Sequence, residues 1–308
     1  MIQNSGAVSQ QFLTNLQLLQ QQMAQTQQQI SSGSKISQAS DAPNAVGDVL
    51  QLESDLGRVS QVTSNLNLVS GQVNSAESAL ETATTLLDQV SSLAAQGAGS
   101  TVSAASRATF SQQVGQILTS LVAASQTQFN GAYVFGGDQP ASPSYQVDLS
   151  NPNGVDRLVT TQSTALIQDA SGITFAASKT AQDIFDHRNS DDTLASDNIF
   201  ATVNSLRVAL ANNDTAGINT AISSIKTAQD YLSQQLAFYG GVQNQISNAQ
   251  DVAQKFQLQD QTALSNVKDT DIAAASVALA QQQASYQAAI QAESTVPRTS
   301  LFSFLSGN

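Results

Sequence analysis

"LESDLGRVSQVTSNLNLVSGQVNSAESALETATTLLDQVSSLA" runs from Leu52 to Ala94. Through it an apolar or small residue recurs at Leu52, Leu56, Val59, Val62, Leu66, Val69, Val73, Ala76, Leu80, Ala83, Leu87, Val90 and Ala94. The steps are threes and fours with a mean near 3.5, the coiled-coil period. At 1.5 Å per residue the helix this predicts is about 65 Å long. Gly97 and Gly99 close it. A seam so narrow makes no core alone, so it needs a partner of similar length.

The chain supplies one. Ile218, Ile222, Ile225, Gln229, Leu232, Leu236, Tyr239, Val242, Ile246, Ala249, Ala253 and Phe256 repeat at nearly the same period. Outside this pair lie two shorter helical patterns. In the first, Phe12, Leu16, Leu19, Met23, Thr26 and Ile30 step by fours and threes through a glutamine-rich stretch. In the last, Ile272, Leu279 and Tyr286 are seven apart. The order is near-palindromic, which lets the ends meet. Leu16, Met23 and Ile30 are then expected to face Ile272, Leu279 and Tyr286.

Between the long helices the period changes. A third helix is expected from about Ala104 to Thr127, followed by the turn pair Asn130-Gly131 and a short Tyr133-Val134-Phe135 strand. "DRLVTTQ", "TALIQD" and "GITFAAS" read as further short strands, and Pro140, Pro143 and Pro152 punctuate them. Asp41 reads as the N-cap of the long helix, with Pro43 in its first turn. The fold class is therefore mainly α: a long antiparallel coiled-coil-like helical rod built from the two halves of the chain, with a small β-rich domain inserted. The expected segments are 1–42 (N-terminal helix), 43–131 (first half of the rod), 132–195 (β-rich insertion), 196–264 (second half of the rod), and 265–308 (C-terminal helix and tail).

Composition narrows the function. Charged residues make up 11% of the 308 and aromatics 5%, and the net charge is −12. An average soluble domain has roughly 25% charged residues. With no basic cluster, phosphate-neutralising contacts to nucleic acid or an anionic membrane are disfavoured. No cysteine is present, which excludes disulfides, thiol nucleophiles and zinc–thiolate sites. No Sec-type signal and no run of about 18 apolar residues is visible. Amide side chains hydrogen-bond across an interface without the desolvation cost of paired charges. The glutamine-coated first helix is thus suited to burial among copies of itself; the bland alternative is a solvated helix or a disordered glutamine-rich arm.

Two constellations in the sequence resemble chemical sites. Ser32-Gly33-Ser34-Lys35, Ser196-Asp197-Asn198 and Lys179-Thr180-Ala181 imitate the S-x-x-K, S-D-N and K-T-G set of penicillin-recognising enzymes. Their order is wrong, Ala181 replaces the glycine, and Ser32 sits at a helix stop. His187, the only histidine, lies near Asp183, Asp186, Asp191 and Asp192 without calcium-loop spacing. That segment reads as a polar loop before a helix that Asp197 caps. No catalytic residue, cofactor or metal ligand is expected.

Four motifs, in order, resemble the flagellin-like family of bacterial filament and hook–filament junction proteins, and within it the hook-associated protein 3 group. They are "ISSGSKISQASDAPNAVGDVLQLESDL" (Ile30 to Leu56), "NGAYVFGG" (Asn130 to Gly137), "DTDIAAASVALAQQQASYQAAIQAESTVPRTSLFSFL", and its Ser300-Leu301-Phe302 ending. The glutamine density of the first helix and Pro297 depart from the family pattern. The resemblance implies a non-enzymatic structural component, secreted unfolded by flagellar type III export and held beforehand by an export chaperone at the C-terminal region. It implies a ring of copies in the extracellular flagellum, with a hook-associated protein on the hook side and flagellin or a second junction protein on the other. Subunit-interface candidates are Phe12, Leu16, Leu19, Met23, Ile30, Ile272, Leu279, Tyr286 and the tail residues Leu301, Phe302, Phe304 and Leu305. The competing readings are a filament-forming flagellin and a secreted coiled-coil binding module or adhesin.

Overall fold

The computed structural model describes residues 3–163 and 166–295. Its elements in chain order are α1 (Gln3–Ser32), α2 (Val46–Ala98), α3 (Ala104–Ser125), β1 (Gln128–Phe129), β2 (Ala132–Tyr133), β3 (Tyr145–Val147), β4 (Val155–Arg157), β5 (Leu166–Gln168), β6 (Thr174–Ala176), α4 (Ala181–Ile184), α5 (Ile199–Ala211), α6 (Thr215–Lys268) and α7 (Ile272–Thr295). They form two compact units. Unit 1 is Met1–Gly57 with Gln257–Asn308, and unit 2 is Arg58–Phe256.

Unit 2 holds the hydrophobic core. From Leu66 to Ala94 every expected seam residue of α2 is buried. On α6 the buried residues are Ile218, Ala221, Ile225, Ala228, Leu232, Gln235, Tyr239, Val242, Ile246, Ala249 and Ala253. This corrects the expected seam at three positions. Ala221, Ala228 and Gln235 turn inward, while Ile222, Gln229 and Leu236 stand half-buried one residue later. At Ala221 and Ala228 the smaller side chain lies innermost, and Gln235 turns in to accept from Lys179 Nζ at 2.6 Å.

Amides fix the antiparallel register along that flank. Gln229 donates to Asp88 Oδ1 at 2.9 Å, Gln243 to Asn74 Oδ1 at 3.0 Å, and Gln250 to Asn67 Oδ1 at 2.8 Å. Donors and acceptors are spaced by the same two heptads and one heptad in opposite directions. A slip of one residue would break all three bonds.

The C-terminus of α2 is closed by Arg107, whose side chain is buried. Its Nε donates to the carbonyl of Gly97 and its Nη2 to that of Gly99, both at 2.8 Å, while Nη1 reaches Asn213 Oδ1 at 2.5 Å. A cation on the last carbonyls of a helix offsets its unpaired acceptors and the negative end of its dipole.

The insertion is built from three separate antiparallel pairs, β1–β2, β3–β4 and β5–β6. In the first, Asn130 (φ 52) and Gly131 (φ 80) form the tight turn the sequence predicts. The strand ends at Tyr133, short of the expected Val134 and Phe135. Phe129 lies over Gly71 so closely that a Cβ there would meet its ring at 2.5 Å.

A buried carboxylate organises the rest. Asp186 is fully buried and accepts from Arg188 Nε at 2.9 Å, Asn198 Nδ2 at 2.8 Å, Asn153 Nδ2 at 3.1 Å and Tyr145 Oη at 3.2 Å. Burial pushes the Tyr145 hydroxyl well above its ordinary range, with the Asp186 charge adding to the effect. Around this node Tyr145, Phe200, Phe185, Phe135 and Tyr239 form a continuous chain of ring contacts. Asn198, not the expected Asp197, caps α5 by accepting from the amide of Ala201. Asp197 pairs instead with His187 at 2.6 Å.

Candidate subunit interface

Unit 1 contains α1, the connector from Gly33 to Ala45, the first residues of α2, the last residues of α6, and α7. No Asp, Glu, Lys or Arg occurs in α1. Its expected seam is real: Phe12, Leu16, Leu19, Met23 and Ile30 are half-buried and Thr26 is buried, while the residues between them are exposed, save half-buried Gln29 beside Ile30. The helix packs against α7. There the half-buried positions are Ala275, Ala278, Leu279, Gln282, Tyr286 and Ala289. Gln20 Nε2 donates to Tyr286 Oη at 2.7 Å across the helix pair.

Leu279 and Tyr286 thus stand on the expected face, but Ile272 does not. It is 53% exposed. It is the first residue of α7, three residues past Asp269, which stands opposite Ser34 beyond the end of α1. Sequence reasoning missed Ala275, Ala278, Gln282 and Ala289, because small and amide residues do not register as an apolar stripe. Leu301, Phe302, Phe304 and Leu305 lie outside the described residues.

What distinguishes this unit is how little it buries. Among its described residues only Thr26 and Val49, each 8% exposed, are buried. Leu13, Leu18, Leu50, Leu258, Ile272, Val277 and Ile290 are all exposed. The outer face of α1 is amide: Gln21, Gln25 and Gln28 line a cleft of about 360 Å³ with Gln38 and Asp41.

The connector departs from expectation at Asp41. Its carboxylate accepts from the amides of Ser37 and Gln38 at 2.9 and 3.0 Å. Those two backbone bonds hold its pKa below the ordinary aspartate value. It therefore holds a turn inside the connector, and α2 begins at Val46 after a turn in which the amides of Ala45 and Val46 donate to the carbonyl of Ala42.

The weighed chemistry finds structural uses for its residues. Ser32 ends α1 in unit 1, whereas Asn198 caps α5 and Lys179 donates to Gln235 in unit 2. His187 stacks on Tyr231 at 4.8 Å. Among the described residues no group of acidic and histidine side chains could hold a metal ion. No described helix is long and apolar enough to cross a membrane.

Residues 4–139 match the family model of the bacterial flagellin N-terminal helical region. No curated protein matches the chain. Several solved structures share its fold. A flagellar hook-associated protein of Vibrio parahaemolyticus superposes with a TM-score of 0.64 at 17% identity, covering 74% of this chain and 100% of that one. Hook-associated protein 3 of Legionella pneumophila gives 0.61 at 12% identity, over 71% and 98%. FlgL of Xanthomonas campestris gives 0.58 at 16%, over 70% and 99%.

Proposed function

We propose that this chain, which carries a flagellin N-terminal helical region and folds like the hook-associated proteins, is a structural subunit of the bacterial flagellum at the junction between hook and filament. The observation that carries the reading is the state of unit 1. Its helices have coiled-coil spacing, yet almost nothing in them is buried. A helix pair with so little buried surface is marginal in isolation. Contacts with other copies supply the missing burial, and an uncharged amide surface enters such contacts without stranding a charge.

In this reading Phe12, Leu16, Leu19, Met23, Ile30, Leu279 and Tyr286 set the helix pair. The exposed Leu13, Leu18, Ile272, Val277 and Ile290 meet neighbouring copies. The tail residues Leu301, Phe302, Phe304 and Leu305 form a contact for a neighbour or for an export chaperone, and the subunit reaches the flagellum by type III export. Its neighbours are a hook-associated protein on one side and flagellin or a second junction protein on the other.

The flagellin N-terminal match also favours a second reading, a filament-forming flagellin. Electron microscopy of the assembled full-length protein separates the two. Closed, short assemblies of few copies support the junction subunit. Open filaments support flagellin. A chain that stays monomeric at high concentration, and that binds neither hook nor filament ends, overturns both.

A further inference from the structure

Unit 1 has almost no core, yet α1 and α7 meet in one register. What sets it lies where the two halves of the chain cross. Residues Gly33 to Lys35, just after α1, pair with residues Lys268 to Thr270, between α6 and α7. The amide of Lys35 donates to the carbonyl of Lys268 at 2.6 Å, and the amide of Thr270 to that of Gly33 at 2.9 Å. Ser34 and Asp269 stand opposite each other as an antiparallel bridge.

The crossing terminates three helices at once. Gly33, at φ +70, ends α1 with its amide donating to the carbonyl of Gln29 at 2.9 Å. The last carbonyl of α6, on Lys268, accepts from Lys35 N and from Ser34 Oγ, the latter at 3.1 Å. On the far side Asp271 Oδ1 accepts from the amide of Ala274 at 3.0 Å and so caps α7. Lys268 Nζ also pairs with Glu53 at 2.8 Å, tying the end of α6 to the start of α2.

We infer that this crossing is a built-in register device, from which α1 and α7 zip together outward in step with subunit assembly; the role rests on the assembly reading above. The physical reason is sequence distance. In the folded subunit the α2–α6 pairing already joins the two halves of the chain at Asn67 and Gln250, but without the crossing Ile30 and Ala275 are each more than twenty residues from that pairing. With it, Ile30 and Ala275 each lie a few residues from a fixed bridge, so the first seam contact closes a short loop and later ones add turn by turn. The crossing needs no apolar burial, so it forms in a subunit whose terminal helices have not yet found neighbours. It also restricts the heptad seam to one register, which the half-buried side chains do weakly.

The test uses the full-length chain. Because the protein has no cysteine, Ser34→Cys with Asp269→Cys creates a single possible disulfide. Facing residues of this bridge type have Cα atoms about 4.5 Å apart, within the range a disulfide spans. Hydrogen exchange is followed in dilute monomer over residues 12–30 and 275–289, oxidised against reduced. Oxidation should slow exchange there tenfold or more and leave unit 2 unchanged. The second variant, Thr270→Pro, deletes the N–H that reaches Gly33 and should speed exchange over the same segments. Failure of the disulfide to form, or equal exchange in the two redox states, overturns the device. So does Thr270→Pro with unaltered terminal exchange. Sedimentation of the same samples separates the two readings: a redox effect on exchange in a chain that never self-associates keeps the crossing and removes the assembly role. If oxidation instead lowers the concentration needed for association, both stand.

Discussion

Two helical seams with the same heptad spacing end in different physical states in this molecule. In unit 2, the α2 residues from Leu66 to Ala94 and the α6 residues from Ile218 to Ala249 are buried in one core. In unit 1, the seam from Phe12 to Ile30 is only half covered by α7. The pattern is equally clear in both. The difference is the number of neighbours: α3, α5 and the insertion add side chains to the unit 2 core, whereas among the described residues of unit 1 nothing comparable closes over α1 and α7. Periodicity therefore specifies which face a helix buries, and not whether the chain itself supplies enough to bury it.

Paired truncations test that comparison most severely. Leu80→Ala removes a fully buried side chain and should destabilise unit 2 by about 3–5 kcal/mol, read as a shift in chemical denaturation. Leu19→Ala should change monomer stability by under about 1 kcal/mol, since its side chain is already half in water. Through the helix pair that presents Leu13 and Leu18 to neighbouring copies, it should instead weaken self-association at least about tenfold, the equivalent of about 1.4 kcal/mol. If Leu19→Ala unfolds the monomer, unit 1 is self-sufficient and the contrast collapses.

The insertion provides the next test, through its buried carboxylate. Asp186→Asn keeps the shape but removes the buried partner of Arg188, leaving it only Asp192, and places an amide N–H₂ among four donors. A loss of about 3 kcal/mol is expected, within the range for breaking a buried pair. Hydrogen exchange should rise over residues 145–198 and stay unchanged in unit 1. A smaller step is Gly71→Ala. The added methyl meets the Phe129 ring at 2.5 Å, and overpacking of this kind costs about 1–3 kcal/mol. Loosening confined to the β1–β2 hairpin is the expected exchange signature.

These variants follow the line between what was legible and what was not. The α2 seam could be read because every third or fourth position is filled by Leu, Val or Ala over its full length. On α6 the reading slipped by one residue where Ile222 and Leu236 sit beside Ala221 and Gln235, because which neighbour turns inward depends on the facing helix. Asp41 and Asp197 both have the local sequence of helix caps, yet one holds a connector turn and the other pairs with His187. Arg107 gave no signal at all, and Asp186 stood out only as one of the acids near His187. Their partners (Gly97, Gly99 and Asn213 for one; Tyr145, Asn153, Arg188 and Asn198 for the other) come together only through the fold. On unit 1 the apolar half of the seam was legible, and the half made of Ala275, Gln282 and Ala289 was not.

Acid should loosen the turns of both units, through separate carboxylates. In unit 2, Asp148 accepts from the hydroxyl and amide of Ser150, and Asp191 from those of Thr193, and these bonds hold both pKa values below the ordinary aspartate value. In unit 1 Asp41 is held low by its bonds to Ser37 and Gln38. A carboxylate whose folded pKa is depressed contributes its stabilisation above the unfolded value, roughly 3.9, and loses it as pH falls through the folded one. All three turns should therefore keep their bonds down to about pH 4. Below that, local exchange around residues 37–41, 148–150 and 191–193 should rise together as each carboxylate protonates. Asp148→Asn should remove the pH dependence from its own turn only.

The smallest expected effect is the response of self-association to salt, and it bears most directly on why α1 is amide. Raising ionic strength from about 0.01 M to about 1 M shortens the Debye length from about 30 Å to about 3 Å. An interface held by ion pairs weakens steeply over that range. Here α1 carries no charge, and α7 carries only Glu293. The remaining long-range term is repulsion between copies of net charge −12, which salt screens. Association should thus stay level or tighten slightly as sodium chloride rises. It should tighten further in sulfate, which favours burial by exclusion from the surface. Steep weakening by salt would place the contact on charged surfaces away from α1 and α7 instead, and α1 would then be a solvated amphipathic helix whose glutamines face only water.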